Sequence, residues 1–112
     1  MSTIRLRGEN LDSTKKQKIM QLLGLAQRAG RLISGEELVV EAIQKGQARL
    51  VFLAEDAAAN LSKKVTDKSQ TYQVEVVTAF STLELSAAVG KARKVLAVTD
   101  AGFTKKMRSI ME

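Results

Sequence analysis

A helix that should begin at Ser34 and a fully buried strand that should end near Ala54 leave few folds open to this chain. Both lie in residues 33–56, ISGEELVVEAIQKGQARLVFLAED. Ser34 and Glu37 have capping-box spacing, in which the hydroxyl accepts from the amide three residues on and the carboxylate reaches back. Leu38, Val39, Ala42 and Ile43 then recur at three and four, one apolar stripe, until Gly46 offers a left-handed stop. Arg49 to Ala54 is an almost unbroken apolar run, as expected for a strand covered on both faces. Helix followed by buried strand is half of a βαβ unit.

The flanking sequence continues the alternation. Asp12 or Ser13 can cap a first helix with Ile19, Leu22, Leu23, Ala26 and Ala29 on one face and Lys15, Lys16 and Lys18 on the other, stopping at Gly30. Arg31, Leu32 and Ile33 form a short extended link into the second helix, a corner where free backbone amides point outward. Beyond the buried strand, Asp56 can cap a third helix running to about Tyr72, with Leu61, Val65 and Tyr72 inward and Lys63, Lys64 and Lys68 outward. Val74 to Val77 reads as a strand. Ser81 and Glu84 repeat the capping-box spacing ahead of a helix that stops at Gly90. A basic loop, Lys91, Ala92, Arg93 and Lys94, leads into a strand over Val95 to Val98. A last helix from about Ala101 carries Phe103, Met107 and Ile110 on its inner side. Alternating elements of this size predict a three-layer α/β/α sandwich, a four-stranded mixed sheet with five helices. Residues 1–12 show no periodicity and read as a flexible tail, leaving residues 13–112 as a single domain.

Composition narrows the function. In 112 residues there is no Cys and no His, so thiolate metal sites, disulfides and the commonest general base are all missing. No Ser or Thr has an activating His, and Leu85 stands where a phosphate loop ending at Gly90 and Lys91 would have its first glycine. A non-catalytic protein without cofactor or metal is expected. Neither a signal-peptide core nor a run near the roughly 20 apolar residues of a membrane helix is seen, which points to a cytoplasmic protein with no membrane association. Eighteen Lys and Arg against 12 Asp and Glu leave a net charge of +6, a field that draws polyanions. With 3 Phe, 1 Tyr and no Trp, a base-stacking platform is not expected, so phosphate contacts and groove shape would hold the nucleic acid.

The residues also carry a resemblance. Gly35 to Asp56, with Ala42-Ile43, Gly46 and the run from Ala48 to Asp56, resembles the ribosomal protein family of the L7Ae and L30e type, whose members bind kink-turn RNA. Ser81, Glu84, Leu85, Ala87, Ala88 and Gly90 are similar to a second motif of that family, with Ser86 in place of an inner glycine, and VLAVTDAGF from Val95 to Phe103 is similar to its last strand and turn. Within the family, LLGLAQRAG, SGEELVVEAI, KKVTDK and AVTDAGF most resemble the small bacterial YlxQ branch. The resemblance runs from about Gln17 to the end.

It implies a non-catalytic RNA-binding protein of ribosomal type, a component of translation or of another ribonucleoprotein, whose partner is structured RNA and which is a monomer when free. The implied site comprises Ser34, Gly35, Glu36, Glu37, Leu38, Glu41 and Lys45 from the second helix, Glu55 and Asp56 from the turn, and Lys91, Ala92 and Arg93 from the loop. Arg31 and Lys94 join Lys45, Lys91 and Arg93 as candidate phosphate contacts, gathered at one rim of the body. The chain departs from the family at the positions that read the sheared guanine-adenine pairs: Glu37, Leu38 and Glu41 stand where Asn, Glu and Lys are usual. RNA binding of another geometry is the expectation. Plainer roles remain open for the same residues. Glu36 and Glu37 can simply serve the helix start, Glu55 and Asp56 can cap turns and not hold magnesium, and the three cations can be solvated loop charge. An alternative function is a protein adaptor on the same scaffold with RNA recognition lost, favoured if the acidic helix corner and the basic loop lie side by side.

Overall fold

A computed structural model describes residues 6–7 and 11–112. In order the elements are β1 (Leu6–Arg7), α1 (Ser13–Arg28), β2 (Leu32–Ser34), α2 (Glu36–Gln44), β3 (Leu50–Leu53), α3 (Ala59–Tyr72), β4 (Glu75–Val77), α4 (Thr82–Val89), β5 (Val95–Val98) and α5 (Ala101–Met111). They build the three-layer α/β/α sandwich, with its mixed sheet and five helices, that the alternation predicts. The sheet order is β1-β4-β3-β5-β2. β3 and β4 are parallel, whereas β5 runs antiparallel to both β3 and β2. The tail expected over residues 1–12 falls largely outside the described residues. Within it Leu6 and Arg7 pair in parallel with Val76 and Val77, adding a two-residue edge strand to the four expected.

Strand pleating divides the core in two. Leu50, Phe52, Val77, Leu96 and Val98 face α1, α4 and α5, where Ile19, Leu23, Phe80, Leu85 and Met107 close over them. Val51, Leu53, Val76, Val95 and Ala97 face α2 and α3 and pack on Val39, Ile43, Leu61 and Val65. All residues of β3 and β5 are buried, which is why neither shows a polar alternation. α1 and α4 approach closely at Gly24, where a Cβ would stand 3.2 Å from the Ala88 carbonyl oxygen.

The helix ends show where local patterns are overruled. Asp12 caps α1, its Oδ1 accepting from the Lys15 amide at 2.8 Å. Ser81 and Glu84 form both halves of a capping box on α4. The same spacing at Ser34 and Glu37 does not. Ser34 belongs to β2, opposite Leu96, and α2 begins one residue later, on Gly35 at φ 97°, ψ 151°, without a side-chain cap. Asp56 does not cap α3, which starts from Ala58. Its Oδ1 accepts from the Thr82 amide at 2.9 Å and from the Thr82 hydroxyl at 2.7 Å, so it serves the first turn of α4. Leu38 and Tyr72, placed inward by spacing, are 59% and 46% exposed, because Val40 and Ser69 occupy the buried rows in their stead.

Candidate functional site

At one end of the sheet Ser34 pairs with Leu96, Leu53 with Val95 and Phe52 with Val77, so the chain must turn four times there: at Gly35, over residues 54–58, over 78–81 and over 91–94. The turns are cross-braced by backbone. The Ala54 amide donates to the Lys94 carbonyl at 2.8 Å, that of Glu55 to Phe80 at 2.8 Å, and that of Gly35 to Val95 at 3.1 Å. α2 and α3 start from these turns and run to the far end of the sheet, which aims the positive ends of their dipoles at this end of the molecule, whereas α4 both starts and finishes here. Between them opens a cleft of about 420 Å³ lined by Gly35, Glu36, Asn60, Thr82, Arg93 and Lys94, among others. Neither Gly35 nor Ala58, the N-caps of α2 and α3, offers a side chain to the first-turn amides, although Asn60 Oδ1 accepts from the Leu61 amide of α3 at 3.0 Å.

Arg93 is the best-held side chain of the cleft. Its Nε donates to Ser34 Oγ at 2.9 Å and its Nη1 to the Ala92 carbonyl at 2.8 Å, while Ser86 Oγ accepts from the Arg93 amide at 3.0 Å and donates to the Arg93 carbonyl at 3.2 Å. Lys91 and Lys94 are exposed, and neither forms an ion pair within 4.0 Å among the described residues. Three of the five acids are engaged elsewhere. Glu36 pairs with Lys64 at 3.2 Å and Glu41 with Lys45 at 3.3 Å. The hydrogen bonds from the Thr82 side chain and amide, aided by the charge of Lys94, hold the Asp56 carboxyl below the usual carboxylate range.

Of the residues singled out by sequence, Gly35, Glu36, Ala92, Arg93 and Lys94 line this cleft, Ser34 and Asp56 are hydrogen-bonded to its lining residues Arg93 and Thr82, and Glu37, Leu38, Glu55 and Lys91 adjoin them in chain order. Arg31 and Lys45 do not belong to it. Arg31 lies at the opposite end of the sheet, where its carbonyl accepts from the Thr99 amide at 3.0 Å and its Nε stands 4.0 Å from Asp100. Lys45 is the C-cap of α2, a full helix length from Gly35, and takes Glu41 with it to that end. A cation beside a helix C-terminus is favourable for the helix itself, and that accounts for both placements: Arg31 follows the end of α1 as Lys45 ends α2. The single rim of cations is therefore confined to Lys91, Arg93 and Lys94. The acidic corner and the basic loop do lie side by side, since Glu36, Arg93 and Lys94 line one cleft. Sequence reasoning missed Thr82, Lys64 and the role of Ser86. Only Ser86 left a trace, as a hydroxyl where the resemblance calls for glycine.

No cluster of three or more metal-ligating side chains occurs among the described residues, and no helix among them is long and apolar enough to cross a membrane. Comparison with known proteins places the geometry in context. Residues 17–108 match the model of the ribosomal protein L7Ae/L30e/S12e/Gadd45 family. The chain is 45% identical over 102 residues to an RNA-binding protein YlxQ of Enterococcus faecium, covering 91% of this chain and 99% of that one. It is 48% identical over 92 residues to an RNA-binding protein YlxQ of Bacillus subtilis (strain 168), covering 81% and 92%. Among solved structures, a protein of unknown function from Bacillus halodurans C superposes with a TM-score of 0.79 at 44% identity, covering 84% of this chain and 96% of that one. A Giardia lamblia 15.5kD RNA binding protein superposes with a TM-score of 0.68 at 18% identity, covering 91% and 88%, a likeness of fold.

Proposed function

This chain belongs to the ribosomal protein L7Ae/L30e/S12e/Gadd45 family, and on that footing we propose that it is a non-catalytic RNA-binding protein of the cytoplasm. It grips structured RNA, in the ribosome or another ribonucleoprotein, through the start of α2 and the 91–94 loop. The observation that carries this reading is the cleft itself. Lys91 and Lys94 have no ion-pair partner among the described residues, Arg93 is pinned, and the adjoining helix starts point positive dipole ends the same way. Phosphate oxygens are the ligand atoms that such a set suits, and phosphate contacts supply most of the affinity of proteins of this kind. The names of the two bacterial relatives agree with it. Exposed Leu38 and the carboxylates of Glu37 and Glu41 replace the polar groups that read kink-turn guanine-adenine pairs, so selectivity rests on other groups, the α2 backbone and Arg93 foremost.

A protein-adaptor reading has one observation in its favour, the adjacency of Glu36 to Arg93 and Lys94. It weighs less because Lys64 already neutralises Glu36 and Thr82 already occupies Asp56. Ultraviolet crosslinking in living cells, followed by stringent purification and sequencing of the attached RNA, separates the two. The RNA reading expects reproducible tags from a folded RNA with crosslinks mapping to peptides containing residues 35–38 or 91–94. A protein that crosslinks to no RNA while copurifying with a single stoichiometric protein would overturn it.

A further inference from the structure

Arg93 is built differently from the lysines beside it. Ser86, on the inner side of α4, holds its backbone from both sides, accepting from the amide at 3.0 Å and donating to the carbonyl at 3.2 Å. Ser34, at the end of β2, accepts from Nε at 2.9 Å, and the Ala92 carbonyl accepts from Nη1 at 2.8 Å. All of these acceptors are neutral, so the guanidinium keeps its full charge while its orientation is fixed. Nη2 and the second Nη1 hydrogen are left to form a planar, two-pronged donor edge at the cleft that Gly35 and Glu36 also line. An arginine fixed in this way recognises a matched pair of acceptors, such as two phosphate oxygens or the O6 and N7 edge of guanine, with geometric selectivity that a mobile lysine lacks.

We propose that Ser86 and Ser34 are positioning residues that convert Arg93 into an oriented two-pronged donor for paired oxygen or nitrogen acceptors of a folded RNA. The inference rests on the RNA-binding reading above and assigns its selectivity. The two serines act through Arg93, one on its backbone and one on its side chain, and leave the charge of the surface unchanged. Their loss therefore affects discrimination between RNAs and not the salt dependence of binding, which counts phosphate contacts.

The test uses the full chain and two labelled hairpin RNAs of equal length, one interrupted by an asymmetric internal loop containing guanine-adenine pairs and one fully paired. Gel-shift titrations over a range of potassium chloride concentrations give affinity and salt slope for each. The expectation is that Ser86→Ala and Arg93→Lys each weaken binding to the interrupted RNA about tenfold, a loss typical of hydrogen bonding by a charged group, with the paired RNA and the salt slope unaffected. Ser34→Ala weakens it less, and Ser86→Thr, which keeps the hydroxyl, restores most of the affinity. Thermal unfolding of each variant identifies any that is misfolded, and Arg93→Lys, which leaves both serines in place, carries the test if Ser86→Ala is. Wild-type preference for the interrupted RNA retained in both Ser86→Ala and Arg93→Lys overturns the inference and leaves the RNA-binding reading standing. A wild-type chain that shifts neither RNA overturns that reading itself.

Discussion

Gly35 is where side-chain chemistry gives way to backbone. At φ 97°, ψ 151° it occupies a region essentially reserved for glycine, and both its polar groups are in use, the amide donating to Val95 and the carbonyl accepting from Val39 at 3.0 Å. No atom lies within 4 Å of a Cβ built there, so Gly35→Ala meets no clash and incurs strain alone. A loss of roughly 1–3 kcal/mol in urea unfolding is expected. It should exceed the loss from Gly46→Ala, whose φ of 74° is an ordinary left-handed value. Equal losses at the two positions would mean that the corner can relax. Two carboxylates contribute to the acid sensitivity of the fold. Burial alone would raise the Glu84 carboxyl, but hydrogen bonds from the Ser81 amide and Lys16, with the charge of Lys16, outweigh it and hold it low. Asp56 is held low by Thr82. A carboxylate whose folded pKa lies below its unfolded one stabilises the fold above the unfolded value and loses that contribution as pH falls through the folded value. Melting temperature should thus drop as pH falls below about 4. Asp56→Asn should give a shallower drop than wild type, and matching acid limbs would show that Thr82 bonds either form equally well.

Between elements, one four-residue spacing had two outcomes. Ser34-x-x-Glu37 and Ser81-x-x-Glu84 are the same signal on paper, yet only the second closes into a capping box. The difference is tertiary. Ser81 leaves a turn whose backbone is free to cap, whereas Ser34 is still paired with Leu96 in the sheet and its hydroxyl is taken by Arg93, fifty-nine residues away in sequence. Ser81→Ala should cost about 1 kcal/mol of stability, the usual value of an N-cap hydroxyl. Ser34→Ala, which removes no cap, should cost less than half as much in the same urea titration. Comparable losses would restore the capping role at Ser34. What could be read beforehand follows the same division. β3 and β5 were evident because burial on both faces leaves an apolar run, and the glycine stops because a left-handed residue needs no partner. The partners of Asp56 and Ser34, and the exposure of Leu38, depended on which neighbour arrived from elsewhere in the chain, information that a local window does not hold.

For the molecule as a whole, the net charge of +6 says how strongly a polyanion is drawn but not to which end. Strand direction decides that. α2 and α3 start at the Leu53–Val95 end and finish at the end where Leu50 meets Val98, while α4 starts and finishes at the first end. The dipoles of α2 and α3 therefore make the first end attractive to anions and the second to cations. Arg31, Lys45 and Arg108 stand at the second end beside Asp100, Glu41 and Glu75, where they answer carboxylates and carbonyls of the protein itself. Lys91, Arg93 and Lys94 stand at the first, where neither lysine forms an ion pair within 4.0 Å among the described residues. Cations removed from the two ends should then have unequal effects, residue for residue. Replacing Lys91, Arg93 and Lys94 by Ala should weaken binding to an internal-loop hairpin by more than tenfold at low salt and flatten the log-log salt dependence by about 0.7–0.9 per lost phosphate contact. Replacing Arg31 and Lys45 by Ala should leave both affinity and slope within about twofold of wild type, since the residual change is only long-range charge screened over a Debye length of roughly 10 Å. If the Arg31 and Lys45 pair proved as costly as the loop triplet, RNA would have to wrap both ends of the sheet, and the cleft at Gly35 could not be the whole interface.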